Sequence, residues 1–441
     1  MDYTQAREYL NGLSGKGSVL GLERMRLLLE MLGNPQDTLK YIHISGTNGK
    51  GSVLAYLSTI LTGAGYRTGR YISPTLFSYR ERIQVDGKEI KRESLAIHVT
   101  AIAEAIEKMQ AKGEDIPTLF EAETAMAFLY FKEKKCDIVV LETGLGGSQD
   151  ATNVINTTLL EIITSISMDH TAVLGDTLKE IATEKAGIIK PDTIVVSAAQ
   201  HPEAERVITE TSRKKNCTCQ IVDSSGISDI CYGYDRQSFS YRSWNNVVIP
   251  LAGSYQIQNA ALALEAVEAL RKIGFSLSDR HVYDGFLNTR WRGRFSVIGK
   301  NPIVVLDGAH NPAAAEELRH SLELYFKGKK LYYIFGMFQD KDYKKVIALT
   351  APLAEHITTV ETRDNPRAMP AKDLAEAVAA VNHSVESADS IQQAVSETMK
   401  YAGDEDAVII FGSLSFLGEA ENAVMNYRKS SCRKHTEGSG I

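Results

Sequence analysis

Tyr41-Ile-His-Ile-Ser-Gly-Thr-Asn-Gly-Lys-Gly-Ser52 carries an apolar strand straight into a glycine-rich turn that holds a lysine and a hydroxyl. Gly46, Gly49 and Gly51 let the backbone close on phosphate groups, with Thr47 and Asn48 completing the turn. Lys50 supplies a compact positive charge, Ser52 an oxygen for magnesium, and the helix that follows the positive end of its dipole. Val53, Leu54, Leu57, Ile60 and Leu61 repeat at helical spacing, so strand, loop and helix come in the order a nucleoside triphosphate site requires. The loop departs from the common phosphate-loop pattern at Ile44, where glycine is expected, and at Gly51, where Ser or Thr is expected. A glycine-rich turn after a strand also occurs as a plain tight turn, so the rest of the chain must name the reaction.

Outward from this loop, short apolar runs alternate with helical patterns. Tyr41–Ile44, Gly69–Ile72, Asp137–Leu141, Glu161–Ile166 and Thr193–Val196 read as strands of a largely parallel sheet with helices on both faces. From about 216 to 250 the sequence turns polar, aromatic and β-like, an antiparallel excursion before a helix over Gln258–Ile273. Near Trp291-Arg-Gly-Arg294 the chain changes domain. A second alternation follows, with strands at Ile303–Leu306, Leu331–Phe335, His356–Val360 and Ala407–Phe411. These patterns predict an α/β protein of two dissimilar domains with a cleft between them, residues 1–295 and 296–430, and a polar tail over 431–441 that frays from Ser430.

The chain has 441 residues, 44% of them hydrophobic and 24% charged, which fits a soluble globular protein with more than one core. Lys plus Arg number 49 against 55 for Asp plus Glu, with no long basic run, so neither nucleic acid nor an anionic membrane is the expected partner. No apolar stretch reaches membrane-span length and the start is polar, so a cytoplasmic protein is expected. Cys136, Cys217, Cys219, Cys231 and Cys432 make an odd, scattered set that suits reduced thiols; Cys217-Thr-Cys219 with Cys231 matches no common zinc spacing.

Several polar groups stand where strand ends deliver side chains to a ligand crevice. Glu142 ends Cys136-Asp-Ile-Val-Val-Leu-Glu142 and is a candidate magnesium ligand, although a strand-end carboxylate is also a common solvated cap. Gly144-Leu-Gly-Gly147 and Asp150-Ala-Thr-Asn153 follow, hard to explain as core sequence. His170, after Met168-Asp169, reads equally as a second metal ligand or as a structural hydrogen-bonding group. Thr177-Leu-Lys-Glu180 is a capping-box start for a helix ending near Gly187. Leu178, Ile181, Ala182 and Lys185 share one of its faces, so Lys185 sits where an apolar residue is expected. It is either a buried, reactive amine or an end-of-helix lysine that snorkels to water. In the second domain Asp307, His310 and Asn311 follow a strand, and Arg294 offers a cation near the hinge, or is simply a surface arginine.

Together Ser45-Gly-Thr-Asn-Gly-Lys-Gly-Ser52, Ser73-Pro74 with Glu81-Arg-Ile83, Phe120-Glu121, Glu142-Thr-Gly-Leu-Gly-Gly147 with Asp150-Ala-Thr-Asn153, Asp169-His170, Glu184-Lys-Ala-Gly-Ile188, Arg294, Asp307-Gly-Ala-His-Asn-Pro312 and Gly412-Ser-Leu414 resemble the folylpolyglutamate synthases of the Mur ligase superfamily. The resemblance runs in motif order to about Gly418. It implies a Mur ligase-like fold, a P-loop-type, mostly parallel sheet domain with a second, smaller Rossmann-like α/β domain. The implied reaction is ATP-dependent addition of L-glutamate to the γ-carboxylate of a folate through an acyl phosphate. The implied cofactors are ATP and two magnesium ions, with Ser52 and Glu142 on the first ion, His170 on the second, and Lys185 carbamylated beside it. Lys50, Lys185 and His170 would serve catalysis. Asn259, Arg294, Asp307 and His310 would join the loop in contacting ATP, and Ser73, Pro74, Arg82, Phe120 and Glu121 would border the folate. The partners would be small molecules acting on a monomer. Two departures stand out: Ser148-Gln149 replaces the Arg-Leu of many relatives, and Ser254-Tyr255-Gln256 lacks the histidine often seen before the glutamine. The rival readings are a bifunctional enzyme that also joins dihydropteroate to glutamate, a cell-wall ligase of the same superfamily, and a nucleotide-dependent kinase or switch.

Overall fold

A computed structural model describes residues 1–16, 21–363 and 365–437, without the side chains of 15–16 and 431–437. The chain divides into two compact units. The first comprises 1–228, 240–247 and 257–289; the second comprises 229–239, 248–256 and 290–441.

Eight strands form the sheet of the first unit: β1 (Tyr41–Ser45), β2 (Thr68–Tyr71), β3 (Ile83–Val85), β4 (Lys88–Glu89), β5 (Ile138–Glu142), β6 (Thr158–Ile163), β7 (Ile194–Ser197) and β8 (Thr218–Ile221). Their order is β4-β3-β2-β5-β1-β6-β7-β8. All neighbours from β2 to β8 run parallel, and β3 and β4 add an antiparallel edge. The central strands β1 and β5 are buried along their whole length, as a parallel sheet covered on both faces requires. Helix Lys50–Gly63 is buried at Val53, Leu54, Leu57, Ile60 and Leu61. Helices Tyr3–Gly12, Arg92–Ala111 and Leu119–Glu133 pack with Leu95, Val99, Ile102, Met126 and Phe128 in one hydrophobic cluster.

Several strand ends shift by one residue from the sequence reading and the helix expected over Gln258–Ile273 spans Tyr255–Lys272; three further differences are larger in consequence. β6 begins at Thr158 and stops at Ile163, so Met168-Asp169-His170 lies beyond the strand, on the far side of Thr164–Ser167. The polar stretch after residue 216 first supplies β8, which pairs parallel to β7; only β9 (Ile227–Cys231), β10 (Gln237–Tyr241) and β11 (Trp244–Ile249) form the small separate sheet, order β11-β10-β9. The last helix, Leu417–Glu437, carries through the polar stretch after Ser430, where Arg433 and Lys434 are good helix formers and neither glycine nor proline interrupts before Gly438; residues 438–441 lie outside those described.

The second unit holds β12 (Ser296–Gly299), β13 (Ile303–Leu306), β14 (Leu331–Phe335), β15 (His356–Thr359), β16 (Val385–Ser387) and β17 (Ala407–Phe411) in the order β12-β13-β17-β14-β15-β16. Among these six strands only β12 is antiparallel to its neighbour. Val305, Leu318, Leu322, Tyr333, Phe335, Ile409 and Phe411 fill the core of this unit. Among the described residues no helix is long and apolar enough to cross a membrane. Cys136, Cys217, Cys219 and Cys231 are all free thiols.

Candidate nucleotide-binding ligase site

The strand order places β1 between β5 and β6, so three loops leave adjacent carboxyl ends of the first sheet. Ile44 stands opposite Glu142 and Ser45 opposite Ile163 in register. Gly46 turns at φ +144°, and a methyl there would lie 1.9 Å from Thr164 Oγ1, so only glycine fits the close pass of the loop over β6's extension. Beyond it, Thr47 N and Asn48 N donate to Ser165 O (2.8 and 3.3 Å), and Thr47 Oγ1 donates to Ser167 O (3.1 Å). These bonds zip the glycine-rich turn to the segment that ends in Asp169-His170. Gly49 caps helix Lys50–Gly63 in the left-handed conformation, packed so closely on Asn259 that a methyl would meet its Oδ1 at 2.5 Å.

Two lysines converge on the turn. Lys50 Nζ donates to Gly46 O (3.0 Å) and Thr47 O (3.2 Å), and Lys185 Nζ donates to the same Gly46 carbonyl at 2.8 Å. Helix Leu178–Ala186 is started by the Thr177–Glu180 capping box and buries Lys185 beside Ile181 and Ala182, so of its two readings the inward one holds. Burial first, then the Lys50 charge, push the Lys185 amine down to about 7, while Asp169 and Asp150 oppose the shift. This amine therefore gives up its proton more readily than an ordinary lysine.

The loop after β5 is the third wall. Ser45 Oγ donates to Gly146 O (2.8 Å), and Gly144 N and Leu145 N donate to one Asp150 oxygen at 2.9 and 2.8 Å. The other Asp150 oxygen accepts from Thr152 N and Oγ1. Asp150 is buried, and desolvation raises its pKa against these donors. Ser148, one of the two departures, binds Glu184 twice, N to the backbone oxygen at 2.9 Å and Oγ to the carboxylate. Asn153 Nδ2 donates to Ser148 O (2.9 Å) and Gly187 O (3.3 Å). The loop is thus stapled to the end of the helix that carries Lys185. Ser148 and Asn153 bond to residues far along the chain and Asp150 braces its own loop, and no periodicity marks any of the three.

Ser52 is buried near the start of its helix and Glu142 is buried at the end of β5, where Ser73 N donates to it at 3.4 Å. Both are hard oxygen donors suited to magnesium. His170 is exposed in a left-handed conformation at the start of the short helix Thr171–Leu174, its N–H tied to Asp169 at 2.8 Å. Among the described residues no three His, Cys, Asp or Glu converge as a metal site of their own. A nucleotide-bound ion does not need one, since phosphate oxygens complete its shell.

Around the expected folate region, Phe120 lies against Gly144, where a methyl would meet its ring at 2.5 Å, and 6.1 Å from the Tyr71 ring. The Ser73-Pro74 bond is cis. Arg82 pairs with buried Glu123 at 3.3 Å. Glu121 serves the fold directly, closing the capping box with Thr118 and pairing with Arg24 at 3.3 Å.

In the second unit Asp307 follows β13, and its carboxylate accepts from Tyr255 Oη (2.9 Å), Phe295 N (2.8 Å) and Ala309 N (2.7 Å). His310 Nδ1 lies 2.7 Å from Gly308 O, and Asn311 caps helix Pro312–Tyr325 through Ala314 N at 2.9 Å. Arg294 lies close to Gly308, where a methyl would sit 2.2 Å from Nη1.

Residues 44–267 match the Mur ligase middle domain, and residues 293–414 match the glutamate ligase domain of the Mur ligases. The dihydrofolate synthase/folylpolyglutamate synthase of Bacillus subtilis is 36% identical over 430 residues, 95% of this chain and 98% of that relative. The chain belongs to the folylpolyglutamate synthase family of Mur ligases. Within that family, Mycobacterium tuberculosis folylpolyglutamate synthase complexed with ADP superposes with a TM-score of 0.88 at 30% identity, covering 96% of this chain and 98% of the other. E. coli FolC in complex with DHPP and ADP gives a TM-score of 0.85 at 31% identity, over 97% and 99% of the two chains. The Mur ligase-like fold read from the motifs is the fold observed.

Proposed function

We propose that this folylpolyglutamate synthase family member joins L-glutamate to the γ-carboxylate of tetrahydrofolates at the expense of ATP, making folylpolyglutamates, ADP and phosphate. The observation that carries the reading is the convergence of Lys50 and the buried, readily neutralised Lys185 on the Gly46 carbonyl, inside a glycine-rich turn at the start of a helix. A γ-carboxylate oxygen attacks the terminal phosphorus of ATP and ADP departs. The glutamate amine then attacks the acyl carbon of the resulting acyl phosphate, and phosphate leaves with the bonding pair. The chain's part in this is electrostatic. Lys50 and the N-terminus of helix Lys50–Gly63 hold the phosphates, and the positive helix end favours the charge that builds on them.

Ser52 and Glu142 would hold one magnesium and His170 and Lys185 a second, and the ions would neutralise phosphate charge when bound. Lys185 fits that role only as a carbamate, formed when its neutral amine adds carbon dioxide and releases a proton; this turns a cation into an oxygen donor. Asn259 against Gly49 suits a nucleotide contact. The assignment of Arg294, Asp307 and His310 to ATP rests on the family resemblance. Ser73, Pro74, Arg82, Phe120 and Glu121 border the folate in the same reading, supported by the packing of Phe120 on the loop after β5. Residues 1–295 act as the ATP-binding ligase domain and 296–430 as the glutamate ligase domain of a cytoplasmic monomer, whose mass in solution a light-scattering measurement reads directly.

A second reading is favoured by the double name of the B. subtilis relative and by the E. coli FolC complex: the enzyme also joins dihydropteroate to glutamate, giving dihydrofolate. ATP-dependent incorporation of labelled L-glutamate decides. Label in tetrahydrofolate-type products alone gives a dedicated polyglutamate synthase, and label from dihydropteroate as well gives the bifunctional enzyme. Hydrolysis of ATP with no label in either abandons the folate reading.

A further inference from the structure

Tyr255 stands at the position where the family resemblance leads one to expect histidine, and its ring is held from two directions. Its hydroxyl donates to Asp307 Oδ2 at 2.9 Å, and burial keeps the phenol well above its ordinary pKa, so it stays a donor. The ring lies on Gly253, where a methyl would stand 2.7 Å from Cε1. Gly253 O and Leu251 O both accept from Gln237 Nε2, at 2.8 and 2.7 Å, and Gln237 is held in turn by Tyr325 Oη at 2.9 Å. Ser254 N donates to Ser321 Oγ at 3.0 Å. The post that carries Tyr255 is therefore fixed from several sides.

On its other side Asp307 passes this order to Arg294. The oxygen that accepts from Tyr255 also accepts from Phe295 N at 2.8 Å. Phe295 has φ +43°, a left-handed conformation that a bulky residue adopts only when held. The adjacent Arg294 lays Nη1 over Gly308, the residue after Asp307, and donates to Gly293 O at 3.1 Å. The direction of the guanidinium thus depends on the strained backbone at Phe295. Asp307, which Ala309 N and the Arg294 charge also hold, shares one oxygen between that backbone N–H and the phenol.

We propose that Tyr255 is a positioning residue for nucleotide binding, acting through Asp307 and the backbone of Phe295 to aim the Arg294 guanidinium at phosphate. The inference rests on the reading that Arg294 contacts ATP. ATP affinity is measured by titration calorimetry on the full chain for wild type, Tyr255→Phe, Arg294→Ala and the double variant, with the urea midpoint of each. Tyr255→Phe keeps the ring and loses one hydrogen bond to a carboxylate, so ATP affinity falls on the order of tenfold. In the Arg294→Ala background the same change weakens ATP by less than about twofold, the signature of residues acting in series. A wild-type affinity in Tyr255→Phe, with or without a lower urea midpoint, overturns the inference, as does a full tenfold loss that persists without Arg294. Wild-type protein that binds no ATP removes the proposed function and this inference together. Wild-type binding that Arg294→Ala does not change removes the Arg294 contact alone, and the inference with it.

Discussion

Gly147→Ala tests how the loop after β5 positions Lys185. A methyl on Gly147 would lie 2.5 Å from Glu184 O, 2.8 Å from Lys185 O and 3.0 Å from Lys185 Cα, all backbone atoms of one helix end. Ordinary carbon–oxygen contact needs about 3.3 Å or more, so loop and helix must part by roughly 0.5–0.8 Å. Ser148 N–Glu184 O at 2.9 Å and Asn153 Nδ2–Gly187 O at 3.3 Å cross the same seam and lengthen with it. Overpacking of this kind costs about 1–3 kcal/mol. For a unit of this size that lowers Tm by about 3–10 °C. The larger effect falls on chemistry, because Lys185 reaches Gly46 O across 2.8 Å and a misplacement near 1 Å costs about a hundredfold in turnover. ATP affinity, set mainly by the turn on the other side, changes by less than about threefold on this reasoning. The assay pairs calorimetric melting with labelled-glutamate turnover and ATP titration. Gly12→Ala serves as control, since nothing lies within 4 Å of a methyl there and the change is neutral or slightly stabilising. Wild-type Tm and turnover in Gly147→Ala would refute the stapled seam. A loss of ATP affinity as large as the loss of turnover would refute the division of labour between the two loops.

Lys185→Ala is expected to fold, bind ATP and lose at least about a hundredfold in ligation, with partial recovery in millimolar short carboxylic acids; 13C-labelled bicarbonate should give a carbamate signal in wild type only, and its absence at saturating label removes the carbamate. Lys50→Ala should lower ATP affinity by about tenfold or more and Glu142→Ala should raise the magnesium concentration needed for half-maximal turnover, each checked by titration; unchanged curves would reassign those residues. Glu161 gives a pH test. Burial, outweighing the hydrogen bonds from Thr193 and Lys190, lifts its carboxyl from 4.5 to about 7, so the native state keeps a proton that the unfolded chain has released. That stabilisation is complete below pH 4.5 and is lost as pH rises through 7. Glu161→Gln should therefore gain on wild type by about 3 kcal/mol above pH 7, read from urea midpoints across pH; parallel profiles would contradict it.

What the sequence made legible was whatever local pattern controls. Ile303–Leu306 and Leu331–Phe335 were bounded to the residue, because buried parallel strands read as continuous apolar runs between turn signals. Thr177 and Gly187 marked both ends of the Lys185 helix, and the inward face followed from spacing alone. Where the reading slipped, the deciding interaction was distant. The polar edge of β8 follows a parallel partner, β7, that local periodicity does not name. β6 ends at Ile163 because Thr164 and Ser165 turn away to serve the glycine-rich loop, so the apolar Ile166, which by pattern extends the strand, belongs to the next segment. The same logic governs the site. Gly46, Lys50 and Ser52 announce themselves within one motif, but Ser148, Asn153 and Tyr255 act through partners dozens of residues away, and Asp150 through backbone donors of its own loop that no pattern names. Ser148 is the clearest case. As a departure from the pattern of relatives it gives no sign of its use, yet in place it bonds Glu184 through both N and Oγ, and so helps set the position of the one buried amine on which the proposed chemistry depends.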